Sequence, residues 1–107
     1  MKIAIMHCRD ASSVCTGAGC MRAYNHGLKH FAQYGEEKPE LCAFLDCGGC
    51  GIQRSTDPGM IEKMEALQKI GVTKVHLGIC INEKCPSLGD ILEMLERYGI
   101  SYEFGTH

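Results

Sequence analysis

The sequence predicts an α/β fold built on a small all-parallel sheet of about four strands with flanking helices. Three observations lead to that expectation. Apolar runs of strand length stand at 2–7 (KIAIMH), 41–46 (LCAFLD) and 74–79 (KVHLGI). Stretches with helical apolar spacing lie between and after them. Ile100, Tyr102 and Phe104 then alternate with Ser101 and Glu103, the pattern of a half-exposed edge strand.

The first helix is expected over 21–34, where Tyr24, Leu28 and Phe31 form a stripe and Gly35 supplies a stop. For the second, Asp57 can cap and Pro58 can take the first helical position. Met60, Ile61, Met64, Leu67 and Ile70 give it an apolar face, and Gly71 ends it. For the third, Ser87 with Asp90 resembles a capping box, Leu88, Ile91, Leu92 and Leu95 form the stripe, and Gly99 closes it. The order β-α-β-α-β-α-β implies right-handed crossovers, helices on both faces and the strand order 2-1-3-4, a truncated flavodoxin-like sheet. In such sheets ligands sit beyond the carboxyl ends of the strands, where the strand order reverses.

Composition narrows the function classes. A chain of 107 residues is expected to form one domain, 1–107. With 45% hydrophobic and 22% charged residues it can build a packed core. A net charge of -2, a pI of about 6.2 and the lack of a basic run argue against nucleic acid as a partner. No apolar stretch approaches the roughly 20 residues of a membrane helix. The start, MKIAIMHC, lacks the cleavage pattern of a signal peptide, so the expected location is the cytoplasm.

Cysteine is the anomaly, with eight in the chain. Clustered thiols in a reducing compartment serve as metal ligands or redox groups more often than as disulfides. Cys8, Cys47 and Cys80 are expected to follow the first three strands directly, at one edge of a parallel sheet. Cys15, Cys20, Cys50 and Cys85 lie in the same three loops. Neighbouring strands are about 4.8 Å apart, so those loops can reach a common site. Cys42 starts the second strand, about 16 Å from Cys47 along extended chain, and is expected to be a buried core thiol. In Cys47-Gly48-Gly49-Cys50 the glycines permit positive φ and free backbone N–H groups to face sulfur. Cys15/Cys20 and Cys80/Cys85 bracket two further loops.

Taken together, Cys8, the Cys15/Cys20 loop, DCGGCG at 46–51 and HLGICINEKCP at 76–86 resemble the CGGC-domain family. The likeness runs over nearly the whole chain. It implies metal binding, with the tetrapeptide mapping onto Cys47 and Cys50 and a later pair onto Cys80 and Cys85. It implies no particular reaction.

The candidate ligands are therefore Cys8, Cys15, Cys20, Cys47, Cys50, Cys80 and Cys85, with Cys8, Cys47, Cys50 and Cys80 placed first. Seven thiols exceed the four that one zinc takes, which favours an iron–sulfur cluster. A 4Fe-4S cluster is expected, with more than one cluster or a larger one open and zinc as the alternative. The role expected is electron transfer or redox sensing. A metal-dependent enzyme on a small molecule, or a thiol-based metal or sulfur carrier, are the alternatives. The electron partner, whether a protein or a small molecule, is not identified by the sequence. A homodimer through the Tyr102–Phe104 edge is also open. A bare dithiol site is disfavoured because Pro58 starts its helix too far from Cys50 to lower the thiol pKa. His7 and His76 are read as core residues, His26 and His30 as surface residues sharing a helical face, and His107 as a chain-end residue at the cysteine edge. Gly17 and Gly19 lack the third glycine of a dinucleotide loop, where Arg22 stands. Arg9, Asp10, Arg22, Arg54 and Asp57 are read as solvated loop charges.

Overall fold

The computed structural model describes residues 1–107. Its strands are β1 (Lys2–His7), β2 (Glu40–Asp46), β3 (Lys74–Leu77) and β4 (Ser101–Phe104). They form one sheet in the order β2-β1-β3-β4, and every pairing is parallel, as expected. The helices are α1 (Ala18–His26), α2 (Pro58–Ile70) and α3 (Leu88–Arg97), with a 3-10 helix over Lys29–Tyr34.

The central strand shows why both faces are covered. Ile3, Ala4, Ile5 and Met6 are all fully buried, as in parallel sheets whose faces both carry helices. Ala4 and Met6 turn toward one core with Met60, Met64 and Leu67 of α2 and Ile91, Met94 and Leu95 of α3. Ile3 and Ile5 turn to the opposite core with Cys20, Ala23 and Phe31. Period-two alternation in one strand thus feeds two cores. The α2 cap forms as its sequence predicts: the Asp57 carboxylate accepts from the Met60 N–H at 3.0 Å, with Pro58 at the helix start.

Four local expectations need correction. The helix read over 21–34 breaks at Gly27 (φ 61), where Leu28 N–H donates to the Ala23 carbonyl at 2.8 Å. This left-handed stop satisfies the last carbonyls. It also puts His26 and His30 in different elements, so they share no helical face. The third strand ends at Leu77; Ile79 is exposed and Cys80 lies in the turn that follows. Cys42 is half-buried rather than a core thiol. The β1–β2 register slips there, with Ile3 opposite Leu41 and Ala4 opposite Ala43. Cys42 is thus the extra residue of a bulge, and its thiol donates to Glu40 Oε2 at 2.9 Å. Ser87 makes no side-chain cap for α3, because Asp90 is engaged by Arg54 instead.

His76 is the core histidine that the sequence suggests. It is fully buried, stacks near Phe31, and its ring nitrogens meet Tyr34 Oη at 2.6 Å and the Gly105 carbonyl at 3.1 Å. Burial pushes its pKa below the ordinary 6.5, against the upward pull of the Gly105 carbonyl and Glu103. The unfolded chain therefore takes up the proton more readily than the folded one. Stability should hold above about pH 6.5 and fall as pH drops from there toward the lowered folded pKa. Urea unfolding between pH 8 and 5 tests this: His76→Gln should show a shallower acid loss than the parent. Parallel pH curves for the two proteins would contradict it.

Candidate metal centre

The carboxyl end of the sheet is organised by the residues that leave β1. Cys8 N–H donates to Cys80 Sγ at 3.1 Å, and the next N–H, of Arg9, donates to Cys47 Sγ at 3.4 Å. Two successive amides of the central strand's exit thus meet sulfurs from the loops on either side. Gly17 N–H donates to Cys15 Sγ at 3.3 Å. Amide donors of this kind stabilise thiolate and cluster-bound sulfur.

The CGGC turn is fixed by two arginines. Arg54 is 1% exposed. Its Nε donates to the Cys47 carbonyl at 2.9 Å, its Nη2 to the Gly49 carbonyl at 2.6 Å, and its Nη1 to Asp90 at 2.9 Å. Arg9 Nη1 takes the Gly48 carbonyl at 3.1 Å. Three successive carbonyls therefore each have a guanidinium donor. Gly48 has φ 87, and a Cβ there would sit 2.6 Å from Met60 Sδ. The turn therefore needs glycine for both backbone and space. Gly48 N–H donates to Asp46 Oδ1 at 2.7 Å, and Lys63 pairs with the same oxygen at 3.0 Å. Burial pushes the Asp46 carboxyl up, but the Lys63 ammonium, the Gly48 N–H and the Arg9 charge outweigh it and hold the pKa below 3.8.

A cavity of about 340 Å³ opens beside this turn, lined by Cys15, Cys20 and Cys80 with His7, His107, Gly17, Phe44 and Ile79. Cys20 is buried, with its sulfur 3.1 Å from Thr106 Oγ1. Burial pushes the Cys20 thiol above its ordinary 9.0 against the Thr106 hydrogen bond, and the Cys80 and Cys15 sulfurs raise it further. His7 is half-buried rather than in the core and stacks on Phe44 at 4.7 Å between ring centroids.

The seven candidate cysteines all stand at this end, but in distinct settings. Of the four placed first by the sequence, Cys80 alone lines the cavity. Cys47 is buried against the α2/α3 core, Cys8 and Cys85 pack beside it, and Cys50 is exposed at the turn. All eight cysteines are free thiols. No three Cys, His, Asp or Glu side chains are grouped so as to hold one metal ion. Arg54 is the residue the sequence reading misplaced: it is a buried cation, and its partner Asp90 is too distant in sequence to betray it. Thr106, which holds Cys20, carried no signal either. No helix is long and apolar enough to cross a membrane.

An all-parallel α/β sheet with cysteines gathered at its carboxyl end defines a cysteine-rich protein of metal-site type. The chain belongs to the CGGC domain family, whose model matches residues 2–107. No curated protein and no solved structure matches it significantly. The CGGC domain and the eight cysteines suggest a metal-binding protein.

Removing the Arg54 guanidinium leaves two turn carbonyls without donors. Asp90 is partly exposed and can rehydrate, which reduces the loss relative to a fully buried pair. Arg54→Ala should destabilise the protein by about 2–4 kcal/mol, and Arg54→Lys should recover less than half, because lysine lacks the planar fork. Urea unfolding midpoints decide this, and an Arg54→Ala protein as stable as the parent would refute the pinning role.

Proposed function

We propose that the protein carries an iron–sulfur cluster at the carboxyl end of its sheet and serves in electron transfer or redox sensing. The observation that supports this most is the cavity lined by Cys15, Cys20 and Cys80, beside a turn whose sulfurs accept backbone N–H donors. Zinc draws its donors in to about 2.3 Å around one centre, whereas a cluster spreads its protein ligands over several metal atoms. Thiols spaced around a cavity, with no three donors on one point, suit the second arrangement better.

The residues fit such a group by their chemistry. Thiolate sulfur is the donor that iron–sulfur centres use. Cys15, Cys20 and Cys80 would hold it from the cavity wall, with Cys8, Cys47, Cys50 and Cys85 as the further thiols in reach of the same loops. The cluster would supply one-electron chemistry when bound. The chain's own contribution is orientation and charge: Arg9 and Arg54 hold the CGGC backbone, and the N–H groups of Cys8, Arg9 and Gly17 face sulfur. Their positive ends favour the more reduced, more negative state less than a bare sulfur would resist it, and so raise the potential. Cys20 arrives as a protonated thiol, so loading must release that proton.

Purification without oxygen, followed by a visible spectrum and iron, sulfide and zinc analysis, tests the proposal. Broad visible absorbance with iron and acid-labile sulfide is expected, bleached reversibly on reduction. Colourless protein with stoichiometric zinc would replace the cluster by a zinc site. Colourless protein that also fails reconstitution would remove the metal reading and leave dithiol chemistry.

A further inference from the structure

The chain end enters the cavity in a defined way. Thr106 is fully buried and Gly105 N–H donates to the Leu77 carbonyl at 2.7 Å, which extends the β3–β4 pairing beyond the strand. This carries His107 to the cavity wall beside Cys20. His107 Nδ1 lies 3.0 Å from Thr106 Oγ1 and 3.7 Å from Cys20 Sγ. On its other side the ring lies over Gly19 in the first turn of α1. A Cβ on Gly19 would stand 2.8 Å from Nε2 and 3.0–3.1 Å from Cδ2 and Cε1. The absence of a side chain at Gly19 is therefore what gives the imidazole its seat. Gly19 has ordinary helical φ, so its backbone does not require glycine.

The cavity brings three thiols and this imidazole to one wall. Both tetrahedral metal sites and cubane clusters commonly take four protein ligands. We infer that His107 is the fourth ligand of the centre held by Cys15, Cys20 and Cys80, giving it three sulfur donors and one nitrogen donor. The inference rests on the reading of this cavity as a metal site, but it does not depend on which metal fills it. A proton on Nδ1 donated to Thr106 Oγ1 leaves the lone pair on Nε2, the arrangement in which an outer hydrogen bond sets the tautomer of a ligating histidine. His7 lines the same cavity but is stacked on Phe44, and its ring is assigned to the cavity wall rather than to the metal.

The test is pulsed electron paramagnetic resonance on protein labelled with 15N-histidine. The reduced cluster is the probe if iron and sulfide are found, and cobalt(II) exchanged for zinc is the probe if zinc is found. A directly coordinated nitrogen coupling is expected in the parent and in His7→Phe. It should vanish in His107→Cys while that variant, with a fourth thiol, still holds its metal. Gly19→Ala should weaken or remove the coupling while leaving thermal stability equal or higher, since alanine favours the helix. Metal bound without any histidine coupling overturns this inference and leaves the cluster proposal standing. Zinc in place of iron, with the coupling present, does the reverse. A coupling that survives in His107→Cys and disappears in His7→Phe assigns the wrong histidine and also overturns it. Protein that takes up no metal at all overturns both.

Discussion

The burial of β1 on both faces is the constraint from which the rest follows. Four consecutive residues, Ile3 to Met6, have no solvent exposure. Such a strand needs a neighbour on each side for its backbone and a helical layer on each face for its side chains. β2 and β3 supply the neighbours, and parallel pairing brings their carboxyl ends level with its own. Because each strand exits into a cysteine-bearing loop, the packing of the core decides where the thiols meet. The first two amides past the strand then extend the same logic from carbonyl to sulfur, with Cys80 and Cys47 as acceptors.

What the strand ends bring together, charge holds in place. Arg54 would be costly in the core if any of its donors lacked a partner. It is accepted because the Cys47 and Gly49 carbonyls and the Asp90 carboxylate meet it from three directions. The cation thereby joins the CGGC turn to α3, and Asp90 gives up helix capping to do so. With Arg9 on the Gly48 carbonyl, the tetrapeptide loop is shaped by its carbonyl partners, and its glycines make that shape sterically possible.

The fold was legible because it rests on periodicities that a sequence displays. Short apolar runs, helical stripes and the Asp57-Pro58 start signal all lead to the observed layers and strand order. The errors fall where a single residue overrides a pattern. Gly27 cuts an apolar stripe that continues through Leu28 and Phe31, and the bulge at Cys42 turns a residue out of its expected alternation. At the site, the thiols were legible from spacing relative to the strands. The division among them was not, since it depends on which face of the sheet each loop returns to. Cys20 falls on the α1 side and Cys47 on the α2/α3 side, while Cys80 adjoins the cavity and the second core together. Arg54, Asp90 and Thr106 act through contacts distant in sequence, which local patterns do not encode.

Cys80 therefore links the groups, whereas Cys42 lies at the opposite end of its strand. Metal content of Cys80→Ser and Cys42→Ser proteins, purified in parallel without oxygen and checked for folding by circular dichroism, addresses the central claim most directly. If the carboxyl end of the sheet is the metal centre, Cys80→Ser loses most of its metal while folded, and Cys42→Ser retains the parent's content. Full metal in Cys80→Ser, or its loss from Cys42→Ser, would contradict the account.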